Sequence, residues 1–240
     1  MKMYSYIDLP YPLPKIFGSY YITDQFAAQL NKILTTIYPD YNKPDILEPE
    51  QIVTLIYNEQ IPLRARCIIG LGGLAGLRPG EICGLRKEKI DFNEKIINID
   101  LQYSQGVLKP PKGKKKRHVP ILPDLEPILK EWYIQSGHGK FLFESKRGNP
   151  LALSTWLRKD YRPALELAKL PYVKPHSLRH AFSKMLSDYG VPPREKMQIM
   201  GHSSKKMSFE VYDRESVKRM VKVTRFQVFS NGFLRNNLRK

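Results

Sequence analysis

At 240 residues the chain is long enough for one large domain, or one domain with an appendage, and it buries a core without disulfide staples. Its 40 Lys and Arg against 23 Asp and Glu leave a formal net charge of +17, which points to a polyanion such as nucleic acid, beside the plainer reading of a solvated basic surface. Cys67 and Cys83 sit in apolar helical contexts without ligand spacing, no apolar run reaches the length of a membrane span, and the N-terminus lacks a signal core, so a reduced, soluble, cytoplasmic protein is expected.

Residues 1–20 are rich in Pro and Tyr, and Pro10, Pro12 and Pro14 each deny an amide donor, which predicts an extended arm. Phe26, Leu30, Ile33, Leu34 and Ile37 then recur at helical spacing, and the helix they predict ends near Pro39. The segment 38–45 reads as a linker, so a main domain is expected over 46–240, preceded by a short arm and helix over 1–45. Pro49 suits the first turn of a helix carrying Ile52, Val53, Leu55 and Ile56. The nearly all-apolar stretch Leu63 to Leu77 predicts a buried helix that delivers Arg78 at its C-terminal end.

Strands are expected at Ile96 to Leu101, at Val107-Leu108 and at His118 to Ile121, joined as a small three-stranded antiparallel sheet with a lysine-rich turn between the last two. Helical segments follow around 123–135, 154–169, 176–189, 193–200 and 205–222, broken by Gly and Pro. The fold class is α+β, mainly α, with that three-stranded sheet.

Between Pro175 and Tyr212 the chain gathers His176, Arg179, His180, His202 and Tyr212, which are parts for chemistry on a phosphodiester. A guanidinium pairs with two phosphate oxygens, an imidazole moves protons, and a phenol attacks phosphorus once deprotonated. At helical spacing His176, Arg179 and His180 share a face, and Pro175 would leave first-turn amides open to an anion. Upstream, Arg78 in GLRPGE adds a second arginine, and Glu81, a turn further on, orients it or else serves the dipole of a helix beginning at Pro79. The run Lys112-Gly113-Lys114-Lys115-Lys116-Arg117 adds cations, with Lys114, Lys115, Lys116 and Arg117 read as a solvated, phosphate-binding loop. Taken one at a time, each has a plainer reading: Arg179 as a salt bridge, His202 as a C-cap, Tyr212 as one of fourteen tyrosines. No Asp/Glu cluster of the kind that holds Mg²⁺ is present, so neither a metal nor another cofactor is expected.

Arg78 in GLRPGEICGL, Lys112 in PKGKKKRHVPI, His176 and Arg179 in PHSLRH, His202 in MGHSS and Tyr212 ten residues on form an ordered set that resembles the catalytic residues of the tyrosine recombinases, or phage-integrase family. The resemblance runs from about Leu47 to Tyr212. It implies a site-specific recombinase that cleaves double-stranded DNA through a 3′-phosphotyrosine on Tyr212, needing neither metal nor ATP. His176 would help to accept the tyrosine proton, and His180 would support or pack. Lys112, with Lys114 as runner-up, would protonate the departing 5′-oxygen, and His202 would donate to a phosphate oxygen. A homo-oligomer on DNA, a tetramer at synapsis, is implied as well. Residues 1–45 are shorter than the family's complete core-binding domain. Two other readings stand beside the recombinase, a relaxing enzyme of the type IB topoisomerase kind and a non-catalytic DNA-binding relic. Integration, excision, dimer resolution and inversion share one active site, and the sequence does not choose among them.

Overall fold

In a computed structural model the chain divides into two units, Met1–Asp45 and Ile46–Lys240. Residues 47–111 and 116–201 are described, all of them in the second unit. The expected N-terminal arm and helix, Lys112, Lys114, Lys115, His202, Tyr212, the 205–222 helix and the C-terminal tail lie outside the described residues.

The unit forms around α2 (Leu63–Gly73), which apart from Arg64 and Arg66 near its start is built of small and apolar residues and is buried along most of its length. Ala65, Cys67, Ile68, Ile69 and Leu71 are all buried along it. Three helices close over it: α1 (Pro49–Tyr57), α4 (Glu126–Gln135) and α7 (His176–Asp188). α1 starts where Pro49 predicts, with the Glu48 amide donating to the Gln51 side chain at 2.9 Å, and it buries Ile52, Leu55 and Ile56. α7 contributes Leu178, Phe182, Met185 and Leu186 from one stripe. Between α4 and α7, α5 (Leu153–Trp156) runs through a π-helical turn (Leu157–Tyr161) into α6 (Arg162–Leu167), and α8 (Pro193–Met200) closes the described part. Cys67 and Cys83 are both buried thiols, as expected, and burial pushes both pKa values up.

The strands depart from expectation. β2 (Ile96–Ile99) pairs antiparallel with β5 (Arg117–Pro120) and with a short β1 (Ile90–Asp91), in the order β1-β2-β5. Val107 and Leu108 do not join that sheet; they lie in β4 (Val107–Lys109), which pairs with β3 (Gln102–Ser104) as a separate hairpin. The reason is the turn. Gln105 and Gly106 both have positive φ, 53° and 79°, the two-residue geometry that folds a chain straight back on itself. The lysine run therefore connects strands of two different sheets.

The long apolar helix also stops early. α2 ends at Gly73, and the chain turns through Gly76 at φ +64° before α3 (Pro79–Cys83) begins. A Cβ on Gly76 would stand 2.3 Å from the Phe182 ring, so both the backbone and the packing demand glycine. Left-handed backbone and core overpacking together cost an alanine here about 2–3 kcal/mol, given that the ring can turn partly aside. Gly76→Ala is expected to lower the urea midpoint accordingly, and an unchanged midpoint would contradict this packing.

Candidate active site

Arg78 does not sit at the end of α2. It is the residue before α3, in extended conformation with φ −72° and ψ 151°, and Pro79 opens the helix behind it. That position turns its side chain back over α3, where its Nη1 donates to Glu81 Oε1 at 2.9 Å and its backbone amide to Glu81 Oε2 at 2.8 Å. The expected supporting role of Glu81 thus has a geometry: one carboxylate fixes both the backbone and the guanidinium of Arg78.

Glu81 is fully buried and holds a second arginine. Arg117 Nη1 and Nη2 donate to its two oxygens at 2.7 and 2.6 Å in a fork-to-fork pair. This corrects the reading of Arg117 as part of a solvated phosphate-binding loop. It lies in β5, on the same inward face as Val119, and only 8% of its surface is exposed. Lys116 is exposed, as a phosphate-binding loop requires. Burial alone would push the Glu81 carboxyl up; the hydrogen bonds and charge of Arg117, then those of Arg78, hold it at about 2.

Arg179 comes from the first turns of α7 and is 2% exposed. Its Nη1 donates to the carbonyl of Gly76 and its Nη2 to that of Met200. Burial and the nearby charges of Arg117 and Arg78 push its pKa down to about 9, so it remains a cation at neutral pH. His176 and His180, one turn apart on α7, stay exposed and meet edge to face with ring centroids 4.9 Å apart. The shared face is thus divided, with one residue turned inward and two outward. The His176 pKa is lowered, by partial desolvation first and then by the charges of His180, Arg179 and Arg78, which favours the neutral imidazole, the form that can accept a proton. Two first-turn amides of α7 are already engaged rather than open to an anion as Pro175 suggested. Ser177 donates to the Lys174 carbonyl at 2.8 Å and Leu178 to that of Pro175 at 3.3 Å.

α8 brings these parts together. It ends at Gly201 in the left-handed conformation, φ 60°, the helix end expected before His202. Its last carbonyls face three guanidiniums: Ile199 accepts from Arg117 Nε at 2.9 Å, Met200 from Arg179 and, at 3.5 Å, from Arg78, and Gly201 from Arg78 at 3.3 Å. Arg78 and Arg179, far apart in sequence, therefore converge on one carbonyl two residues before His202. Among the described residues no group of three or more His, Cys, Asp or Glu is placed to hold a metal ion, and no helix is long and apolar enough to cross a membrane.

Sequence reasoning missed Arg117 as the second partner of Glu81. Its signal was the alternation of Arg117 and Val119 in the β5 strand, which puts the two on one face.

This fold, helices around a small antiparallel sheet, is that of the integrase and recombinase catalytic domains. The Tn1549 transposon integrase, solved in complex with a circular intermediate DNA, superposes with a TM-score of 0.58 at 21% identity over 82% of this chain and 74% of that one. The XerA recombinase superposes with a TM-score of 0.55 at 21% identity, over 79% and 64%. The chain belongs to the phage integrase family, whose family model matches residues 45–219, and it carries a tyrosine recombinase catalytic domain. It is similar to a tyrosine recombinase of Thermosipho africanus (strain TCF52B), 31% identical over 165 residues that cover 67% of this chain and 54% of that protein. It is also similar to the transposase from transposon Tn916 of Enterococcus faecalis, 30% identical over 158 residues covering 57% and 39%. The chain spans about half the length of the curated relatives it matches.

Proposed function

We propose that the chain cleaves and rejoins double-stranded DNA at a specific site through a 3′-phosphotyrosine on Tyr212. The observation that carries this reading is the meeting of Arg78 and Arg179 at the Met200 carbonyl, just ahead of His202. Two guanidiniums gathered at one oxygen can between them donate to the non-bridging oxygens of one phosphate. Preorganised donors aimed at the charge that grows there supply the largest catalytic contribution.

In the first step the Tyr212 oxygen attacks phosphorus and the 5′-oxygen leaves. The phenol, whose ordinary pKa is about 10, gives its proton to the neutral His176. The departing 5′-oxygen takes a proton from Lys112, with Lys114 the alternative donor. The new phosphotyrosine keeps the energy of the broken bond, so a 5′-hydroxyl of another strand rejoins it with no added energy source. Arg78, Arg179, Lys112 and His202 provide the positive charge, so no metal enters the scheme. Lys114, Lys115 and Lys116 contact DNA phosphates, and the chain acts as an oligomer, a tetramer at synapsis, on two duplexes.

The reading is tested with a pool of nicked suicide duplexes, in which the fragment beyond the cleaved bond diffuses away. Wild-type protein should accumulate as a covalent protein–DNA band on a denaturing gel, and Tyr212→Phe should give none. A band that survives Tyr212→Phe would overturn the assignment of the nucleophile, and DNA binding without any band would leave a DNA-binding protein alone.

A further inference from the structure

Arg117 belongs neither to the exposed lysine loop before it nor to the set of residues that meets phosphate in the scheme above. Its guanidinium is spent inside the protein: two nitrogens on the Glu81 carboxylate at 2.7 and 2.6 Å, and Nε on the Ile199 carbonyl at 2.9 Å. Glu81 in turn fixes Arg78. The Ile199 carbonyl belongs to the last turn of α8, which leads through Gly201 into His202. At Gly201 an added Cβ would stand 2.9 Å from Arg117 Cδ, and φ is already +60°, so the Arg117 side chain and the turn are fitted against each other. Arg117 also opens β5, the strand that directly follows the lysine run. One buried side chain thus touches the supports of three segments that carry proposed phosphate ligands.

We infer that Arg117 is a positioning residue for the cleavage reaction: it holds the Glu81–Arg78 pair and the turn before His202 in one register without itself meeting the DNA. The inference rests on the function proposed above. An exposed loop arginine would weaken DNA binding and its salt dependence when replaced; a positioning arginine changes the rate at saturating DNA instead. It also changes the titration of Glu81. That carboxylate faces Arg78 at the start of its own helix, Arg117 from β5, and Arg179 and His176 from α7. With Arg117 gone, burial is opposed mainly by Arg78, and the carboxyl takes up a proton at a higher pH.

The test uses the full chain with Arg117→Met and Arg117→Lys. Two readouts are taken: the single-turnover rate of covalent adduct formation against pH at saturating DNA, and the titration of the Glu81 carboxylate followed by carbon-13 NMR. Arg117→Met should slow adduct formation about 10- to 100-fold at neutral pH, leave DNA affinity and its salt slope unchanged, and move the acid limb of the rate profile upward. Arg117→Lys keeps a charge but loses the fork and the Ile199 bond, so it should restore the acid limb toward wild type and the rate only in part. If Arg117→Met fails to fold, the lysine variant decides by the same two readouts. Wild-type rate and Glu81 titration in both variants would overturn the inference, as would a loss confined to DNA affinity. Should the wild-type protein form no adduct, the proposed function fails, and the Glu81 titration still decides what Arg117 holds.

Discussion

Replacing Arg179 by alanine is expected to slow covalent cleavage of DNA about 10²- to 10³-fold, the loss that follows removal of one preorganised donor from a charged transition state. The expectation follows from how Arg179 is held. At 2% exposure it has no freedom to leave, and the Gly76 and Met200 carbonyls fix the plane of its fork. A guanidinium fixed in this way needs no reorganisation when charge develops in front of it. Arg179→Lys should recover little, because an ammonium is a point charge that cannot serve both carbonyls and a phosphate in one plane. The measurement is the single-turnover rate at saturating DNA for both variants, with a thermal melt alongside. Each carbonyl left without its partner costs about 1–3 kcal/mol, and that loss of folding must be separated from the loss of rate. A loss of less than tenfold in a folded variant would take Arg179 out of the reaction.

Glu81→Gln is expected to lower folding stability by about 3–5 kcal/mol at neutral pH, the cost of removing one member of a buried ionic cluster. The carboxylate accepts from Arg78 and Arg117 and from the Arg78 amide at 2.6–2.9 Å, and it is wholly buried. A glutamine presents two further donors to guanidiniums that can only donate, and it leaves Arg78, Arg117 and Arg179 with no anion among them. The pH dependence has a definite sign. Burial raises the Glu81 carboxyl and the two arginines more than offset it, so it stands at about 2 against an ordinary 4.5. A carboxylate held low in the folded state adds stability above its unfolded pKa and loses it as pH falls through the folded value. The gap between wild type and Glu81→Gln should therefore be full above about pH 5 and shrink as pH falls toward 2. Urea titrations at pH 7, 5 and 3 measure it, and a gap constant across that range would show that Glu81 carries no charge of consequence.

How far the sequence disclosed this site depended on which features were local. The Leu63 start, the Pro49 start and the Gly201 stop each act within a turn or two of chain, and the helices begin or end where those residues put them. The contact between Glu81 and Arg78 was legible because the two lie one turn apart. The same habit of reading locally misplaced Arg78 itself. A hydrophobic run with no break suggested one helix through Leu77, whereas Gly76 closes against Phe182, a contact that only tertiary packing creates. Arg117 was hidden for a related reason. Four lysines before it made a single basic turn the simplest reading; the alternation with Val119 pointed to an inward strand position, but nothing nearby in sequence pointed to Glu81, thirty-six residues upstream. The hairpin from Gln102 to Lys109 turned on positive φ at Gln105, a residue that does not ordinarily signal it. The convergence of Arg78 and Arg179 on α8 was foreseeable only through the family resemblance, since no short-range pattern links Gly76, Arg179 and Met200.

The most direct test of the account is the site of DNA attachment. The covalent species trapped on a nicked suicide duplex is digested with nuclease and trypsin, and the modified peptide is sequenced by mass spectrometry. The account predicts one modified residue, Tyr212, joined to the 3′-phosphate of the nucleotide at the break. Attachment to any other of the fourteen tyrosines, or through a 5′-phosphate, would contradict it.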